Sequence, residues 1–410
     1  MNLSLIIAAL ALFSVPDPAR HTLVGADLSR QTVTPERLEL SGMSYVDASG
    51  VRRTSPASQI LAVYAASGVR VAPVDGLRAV VTSDGQRLVG MVEHVEGDEE
   101  TIAVVHPTLG RLHVALDRVR SISEASEPSP LHPPGDDTVI LSNGDLLRGF
   151  VAGLAPSDED DAFAGGTVLL IDLDTGSRRR LGLETVSVVL ISNPQTAASG
   201  TRVWLSDGSA FGVREAVAAG PGLVRLSPID AARPETESEQ GVTPGDGTVP
   251  GSTVVLDNVI GWMPDAGRLR PLASAKFIGV TPVEPRPWTD QPTITDAASA
   301  TLGAPDILLP GPSSIEWELP EGTDGLSCEV VLPEAYRDWG DCEVVILAGD
   351  VGRMTERWRG RLNAGTPTLA VRLDMADRPR RMVVRVDPGE FGAVQDRPTL
   401  ITPLLRMTPR

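Results

Sequence analysis

The sequence predicts an all-β protein in which a row of small barrel-like repeats precedes a two-sheet β-sandwich. Three observations carry that expectation. Glycine and proline number 40 and 34 among 410 residues, more than helical bundles carry and enough to punctuate many short strands. An apolar strand followed by Ser-Asp/Asn-Gly recurs at a spacing of about 60 residues in the first two-thirds of the chain. From residue 290 onward a series of alternating strands replaces that pattern.

Residues 3–15 form an uncharged apolar run, too short to span a bilayer comfortably but suited to a signal-peptide core. Residues 1–19 are therefore expected to be a signal peptide or an N-terminal anchor, with the protein in the periplasm or at the cell surface. Against export, Met1 to Val15 contains no Lys or Arg, and Asp17-Pro18-Ala19 is a poor small-x-small cleavage site. A first buried element of a cytoplasmic protein stays open as the alternative.

The repeats follow. Val80-Val81-Thr82-Ser83-Asp84-Gly85, Val139-Ile140-Leu141-Ser142-Asn143-Gly144 and Val203-Trp204-Leu205-Ser206-Asp207-Gly208 each read as a strand entering a tight hairpin, because Asp-Gly and Asn-Gly favour the positive φ such turns require. A glycine then follows in the next strand, in Leu88-Val89-Gly90, Leu147-Arg148-Gly149 and the shortened Phe211-Gly212, where a bent strand would use it. Second hairpins fall at Leu109-Gly110 and Thr175-Gly176. The units close on Leu116-Asp117-Arg118-Val119, Leu183-Glu184-Thr185-Val186 and Leu256-Asp257-Asn258-Val259, with an acid at the second position each time. A more degraded copy precedes these, with Arg37-Leu38-Glu39-Leu40 as a strand, Ala48-Ser49-Gly50 as a turn and Gln59-Ile60-Leu61-Ala62-Val63 at its end. The expected units span 20–75, 76–130, 131–195 and 196–282. Such a unit resembles the Sm-like or SH3-like small barrel repeats of exported bacterial proteins, in which the strand after an Asp/Asn-Gly turn carries Leu-x-Gly. The resemblance covers roughly residues 24–282.

Loops distinguish the copies. Ser157-Asp158-Glu159-Asp160-Asp161 extends one hairpin, and residues 228–251 insert a Pro/Glu/Gly/Thr-rich stretch; both read as solvated. The acid run lacks the alternate acids, central glycine and distal Glu of a calcium loop.

The Pro-rich connector Thr281-Pro282-Val283-Glu284-Pro285-Arg286-Pro287 marks a domain boundary, after which seven strands over residues 290–410 fit a two-sheet sandwich. Its order and its late loop, Val386-Asp387-Pro388-Gly389-Glu390-Phe391-Gly392 through Asp396-Arg397-Pro398-Thr399-Leu400, resemble the NPCBM-type jelly roll, a module found beside carbohydrate-active enzymes. Where that family commonly shows Asp-His and then Trp, this chain has Asp396-Arg397 and then Leu400. Sugar binding needs an exposed aromatic face plus carboxylate, amide or guanidinium groups for the hydroxyls. Tyr336, Asp338, Trp339 and Asp341 in one loop, Trp358 between Arg357 and Arg359, and Asp396 with Arg397 are the candidate ligand-binding residues. Trp317 and Trp358 also suit packing, and Asp396 also suits a turn-stabilising role.

Other chemistries are disfavoured. A net charge of −18 repels phosphate backbones, so nucleic acid is not an expected partner. The cluster Arg178-Arg179-Arg180 reads as a solvated strand edge. Lys276 is the only lysine and follows no glycine-rich loop, which removes phosphate-loop nucleotide hydrolysis. The five histidines, His21, His94, His106, His113 and His132, lack metal-ligand or triad spacing, and His94 and His106 read as satisfied surface groups. No catalytic residue, metal site or cofactor is expected. The two cysteines, Cys328 and Cys342, read as free and partly buried rather than bridged. The expectation is a non-enzymatic extracytoplasmic binding or scaffold protein whose sandwich meets a glycan or an envelope protein. A purely structural envelope-assembly component is the alternative, and a glycan hydrolase with a carboxylate pair 5–10 Å apart, roughly the spacing such catalysis needs, is the remote one.

Overall fold

The computed structural model describes residues 20–65, 76–126, 135–157, 166–229, 233–234, 251–283, 290–295, 300–392 and 394–408. The N-terminal segment 1–19, the acid run from Asp158 and nearly all of the 228–251 insertion lie outside the described residues. Within them the protein is all-β, and every helical segment is a single three-residue 3-10 turn.

Four five-stranded units occupy residues 21–263. Unit I comprises His21–Gly25, Arg30–Glu39, Gly42–Asp47, Arg52–Pro56 and Ile60–Ala65; unit II comprises Arg78–Thr82, Arg87–Val95, Asp98–His106, Gly110–Ala115 and Val119–Glu124. Unit III comprises Asp137–Leu141, Leu146–Pro156, Thr167–Leu173, Arg178–Gly182 and Val186–Leu190; unit IV comprises Thr201–Leu205, Ala210–Gly220, Leu223–Pro228, Ser252–Val255 and Val259–Met263. In each, four strands form an antiparallel meander and the fifth returns to pair with the first.

The recurrent motifs have local causes. The Leu-acid pairs that close three of the units form the 3-10 turn ahead of the fifth strand, with Leu116, Leu183 and Leu256 buried and the acid in the first turn, where free backbone N–H groups favour it. The residue two before each turn's left-handed position donates its N–H to the last carbonyl of that 3-10 turn: Ser83 to Arg118, Ser142 to Thr185, Ser206 to Asn258, and Ala26 to Gln59. By this bond unit I's first turn is Asp27-Leu28, with Leu28 at φ 68° where the others have glycine. The strand glycine is a pivot: Gly149 pairs with Asp137 on one side and Leu173 on the other, and a Cβ there would lie 2.2 Å from the Asp172 carbonyl. In unit IV Val213 holds the pivot, pairing with both Thr201 and Pro228, so Gly212 falls one residue short of it.

The units are not beads on a string, because buried residues from all four join one apolar cluster. Their spatial order is III, II, IV, I. Units II and III pair through their fifth strands with Ile122 opposite Val189, and units I and IV do so with Val63 opposite Trp262. Both pairs join the fourth residue of one fifth strand to the fourth of the other, which is a local two-fold arrangement. Units II and IV meet turn to turn, with Ala210 opposite Arg87, again at equivalent positions.

The sandwich has a five-stranded sheet (Lys276–Pro282, Ser313–Glu318, Arg381–Pro388, Cys342–Asp350, Arg353–Leu362) facing a second sheet (Thr293–Ile294, Ile307–Leu308, Thr399–Met407, Thr323–Val331, Thr368–Asp374), to which Leu269–Pro271 adds on Thr399–Met407. Composition places the handover at the Pro-rich connector, but hydrogen bonding places it earlier. Lys276–Pro282 pairs with Ser313–Glu318 and Leu269–Pro271 with Thr399–Met407, so both belong to the sandwich rather than to the last repeat. Cys328 and Cys342 are free and fully buried in opposite sheets, not successive strands of one hairpin, and burial pushes both thiols up to about 12.

A separate apolar cluster joins units I and IV to the sandwich through Leu28, Tyr64, Trp204, Met263, Leu302 and Leu404 among others. Arg30 locks this joint: its guanidinium donates to the Ser327 hydroxyl, the Ser327 and Thr402 carbonyls and the Tyr64 hydroxyl, at 2.7–2.8 Å.

Candidate functional site

The sandwich exposes two large aromatic rings at one end. Trp339 is 58% and Phe391 51% exposed, and they meet edge to face with ring centroids 6.0 Å apart at 84°. The loops that carry them are fixed from below. The backbone of Trp339 donates to Gln395 Oε1 at 3.2 Å, tying the 336–341 loop to the late loop. Gly340 donates to the Tyr336 carbonyl, and a Cβ at Gly340 would lie 2.3 Å from that oxygen.

Asp341 organises the platform from inside. Its carboxylate takes a bidentate pair from Arg361 at 2.7 and 2.6 Å and the backbone N–H of Glu390 at 2.9 Å. The Arg361 hydrogen bonds hold this carboxyl below the usual carboxylate range, so the clamp is charged across the neutral and mildly acidic range. Buried Asp396 accepts from the Asp341 backbone at 3.2 Å. A Cβ at Gly389 would lie 2.1 Å from the Asp341 carbonyl, so the late loop crosses at closest approach there and delivers Phe391 to the surface.

Two residues beyond Gln395, Arg397 reaches Asp290 at 2.9 Å and with Gln291, Thr293, Leu308 and Pro310 lines a groove of about 360 Å³. Its single lining carboxylate is Asp290, already paired with that arginine. A second groove of about 550 Å³ lies between units II and III, with Glu124, Glu184 and Arg78 in its wall; the Arg78 guanidinium donates to the carbonyls of Leu183 and Val186.

The structure thus brings most of the predicted residues together but divides their roles. Trp339, Asp338 and Arg397 face solvent, Tyr336 is half-buried against the sandwich core, and Asp341 and Asp396 are buried beneath the loops. Trp358 stands apart on Arg353–Leu362, half-buried against the core, and its neighbours Arg357 and Arg359 are spent on ion pairs with Asp377 and with Glu343 and Glu356. Phe391 was not among the expected residues. Its signal in the sequence is an aromatic set between Gly389 and Gly392 just ahead of the closing strand.

The histidine expectation needs correction. His106 is buried rather than at the surface: Nδ1 accepts from the N–H groups of Thr108 and Leu109, which leaves the proton on Nε2, 3.0 Å from both Ser209 Oγ and Asp207 Oδ2 of unit IV. His21 is also buried, 3.2 Å from the Val259 carbonyl. Among the described residues no group of three or more His, Cys, Asp or Glu is arranged to hold a metal, and no helix is long and apolar enough to cross a membrane.

The fold and site define a β-sandwich with an exposed aromatic platform, carried on a body of small β-units. No family model matches the chain and no curated protein matches it. Among solved structures, the CBM51-2 and INT domains of Clostridium perfringens ZmpB match at 12% identity and TM-score 0.28, over 47% of this chain and 37% of that one. The tandem CBM51 modules of Sp3GH98, the family 98 glycoside hydrolase from Streptococcus pneumoniae SP3-BS71, match at 10% identity and TM-score 0.27, over 80% of this chain and 88% of that one. A glycoside hydrolase family 43 arabinoxylan arabinofuranohydrolase from Bacillus subtilis, in complex with cellotetraose, matches at 10% identity and TM-score 0.22, over 95% and 79%.

Proposed function

We propose that this protein is a non-enzymatic, extracytoplasmic glycan-binding protein, with the sandwich as its binding module and the four units as a rigid scaffold. In this reading the units are Sm-like or SH3-like barrels and the sandwich is of NPCBM type. The observation that carries it is the pair of exposed rings, Trp339 and Phe391, held by the Asp341–Arg361 ion pair, the buried Asp396 carboxylate and close backbone contacts rather than by burial of the rings themselves. An apolar face kept in water at the cost of its hydration is what stacking on a pyranose requires. Asp338 beside Trp339, and Arg397 with Gln291 in the groove at the end of the late loop, supply acceptors and donors for hydroxyls. Asp341 and Asp396 position the loops, Tyr336 backs them, and Trp358 serves packing.

A glycan array probed with the whole chain and with Trp339→Ala and Phe391→Ala tests the reading. The expected result is retention on a restricted set of glycans that both variants lose. Retention unchanged in both variants moves the site elsewhere; no glycan retention, with an envelope protein captured by wild type and variants alike, favours the assembly role instead.

A further inference from the structure

We infer that the first turn of unit III is a two-fold contact between two copies of this chain. The residue two places after the turn's left-handed position is Arg30 in unit I, Arg87 in unit II, Leu146 in unit III and Ala210 in unit IV. Three of these are covered by another module. Arg30 enters the sandwich, and Arg87 and Ala210 face each other across the contact between units II and IV. That contact is reciprocal: Arg87 donates to the Gly208 carbonyl of unit IV and Arg202 to the Asp84 carbonyl of unit II. Leu146 is instead 51% exposed.

The order of contacts says what covers this face. Along the body they alternate: fifth strands join I to IV, turns join IV to II, and fifth strands join II to III. The next contact in the series is through unit III's turn, with a unit of the same kind. Applying the II to IV register to two copies of unit III sets Leu146 opposite the same residue of the second copy. Leucine on a two-fold axis is self-complementary, whereas an arginine there would meet its own charge. At the other end unit I's turn is closed by the sandwich, so the series stops and the assembly is a closed dimer rather than a filament.

Sedimentation velocity on the whole chain is expected to show a dimer. Leu146→Asp, at an exposed position that leaves the fold intact, weakens it by about 30-fold or more, the loss usual for a central apolar contact. Leu146→Cys is expected to cross-link to a covalent dimer on mild oxidation, because directly opposed residues of antiparallel strands lie within disulfide reach. Val351→Cys, at a 78% exposed position on the sandwich, stays monomeric on denaturing gels. A monomer at all concentrations, an open-ended assembly, a dimer indifferent to Leu146→Asp, or equal cross-linking by both cysteine variants overturns the inference.

Discussion

The body and the sandwich differ in what their buried polar groups hold in place. In the body Tyr45, Tyr64, Trp204, Phe211 and Trp262 are buried, Phe150 alone of the described aromatics there stands exposed, and polar groups join one module to the next, as half-buried Arg30 and buried Arg87 and His106 do. In the sandwich Trp317 is buried, but the buried polar groups Asp341 and Asp396 hold two loops so that Trp339 and Phe391 stay outside. The same chemical currency of buried, hydrogen-bonded charge serves assembly in one region and presentation in the other. On the proposed reading, the polar groups that span modules serve the scaffold and those that prop up the exposed rings serve the binding surface.

The largest effect that sharpens this contrast belongs to the joint between the regions. Arg30→Ala removes the guanidinium that bridges the Ser327 and Thr402 carbonyls and the Tyr64 hydroxyl, and is expected to cost about 3 kcal/mol in denaturant unfolding, or to split one transition into two. A single transition at unchanged midpoint would mean that the joint is not held there. Trp339→Ala is expected to weaken glycan binding by about 30-fold, roughly 2 kcal/mol, without moving the melting temperature, since its ring packs mainly on Phe391. Loss of both would make the ring structural.

Asp341→Asn should fall between these regions in character, costing about 1–2 kcal/mol and lowering affinity indirectly. Because the Asp341 carboxyl is held below its ordinary value in the folded state, its contribution is fully present above the unfolded carboxylate range and is lost as pH falls through the lowered value. Acid titration of tryptophan fluorescence should therefore show a late step in wild type that the Asn variant lacks. A smaller and more diagnostic effect concerns Leu28, which combines positive φ with complete burial. Both Leu28→Ala and Leu28→Gly lose apolar contact, but glycine relieves the backbone and should be the milder by about 1 kcal/mol, the reverse of the usual order. Smallest of all, Cys328 and Cys342, buried and pushed up to about 12, should not react with a thiol reagent until the protein unfolds. Rapid reaction of either in the native protein would mean a looser sandwich.

The three Asp/Asn-Gly turns were legible in the sequence because a left-handed turn residue is glycine wherever nothing else stabilises it. Unit I's equivalent was not legible, since Leu28 holds the same φ by burying its side chain against the sandwich, a contact between residues about 300 apart in sequence and invisible to any local pattern. The early strands of the sandwich were missed for the same reason: Leu269–Pro271 is a strand only because Thr399–Met407 lies beside it. Of the site, Trp339 was legible as an aromatic in a polar loop. Phe391 carries only the weaker signal of an aromatic between turn glycines, and the buried roles of Asp341 and Asp396 depend on two loops meeting.

The central claim is that Trp339, and not another ring, receives the ligand. Of the six tryptophans, labelled with 5-fluorotryptophan and assigned by single substitution, Trp339 is expected to be the resonance that shifts in fluorine NMR when a glycan retained on the array is added to the whole chain. Saturable binding that shifts Trp358 or a body tryptophan while leaving Trp339 unmoved would contradict the account.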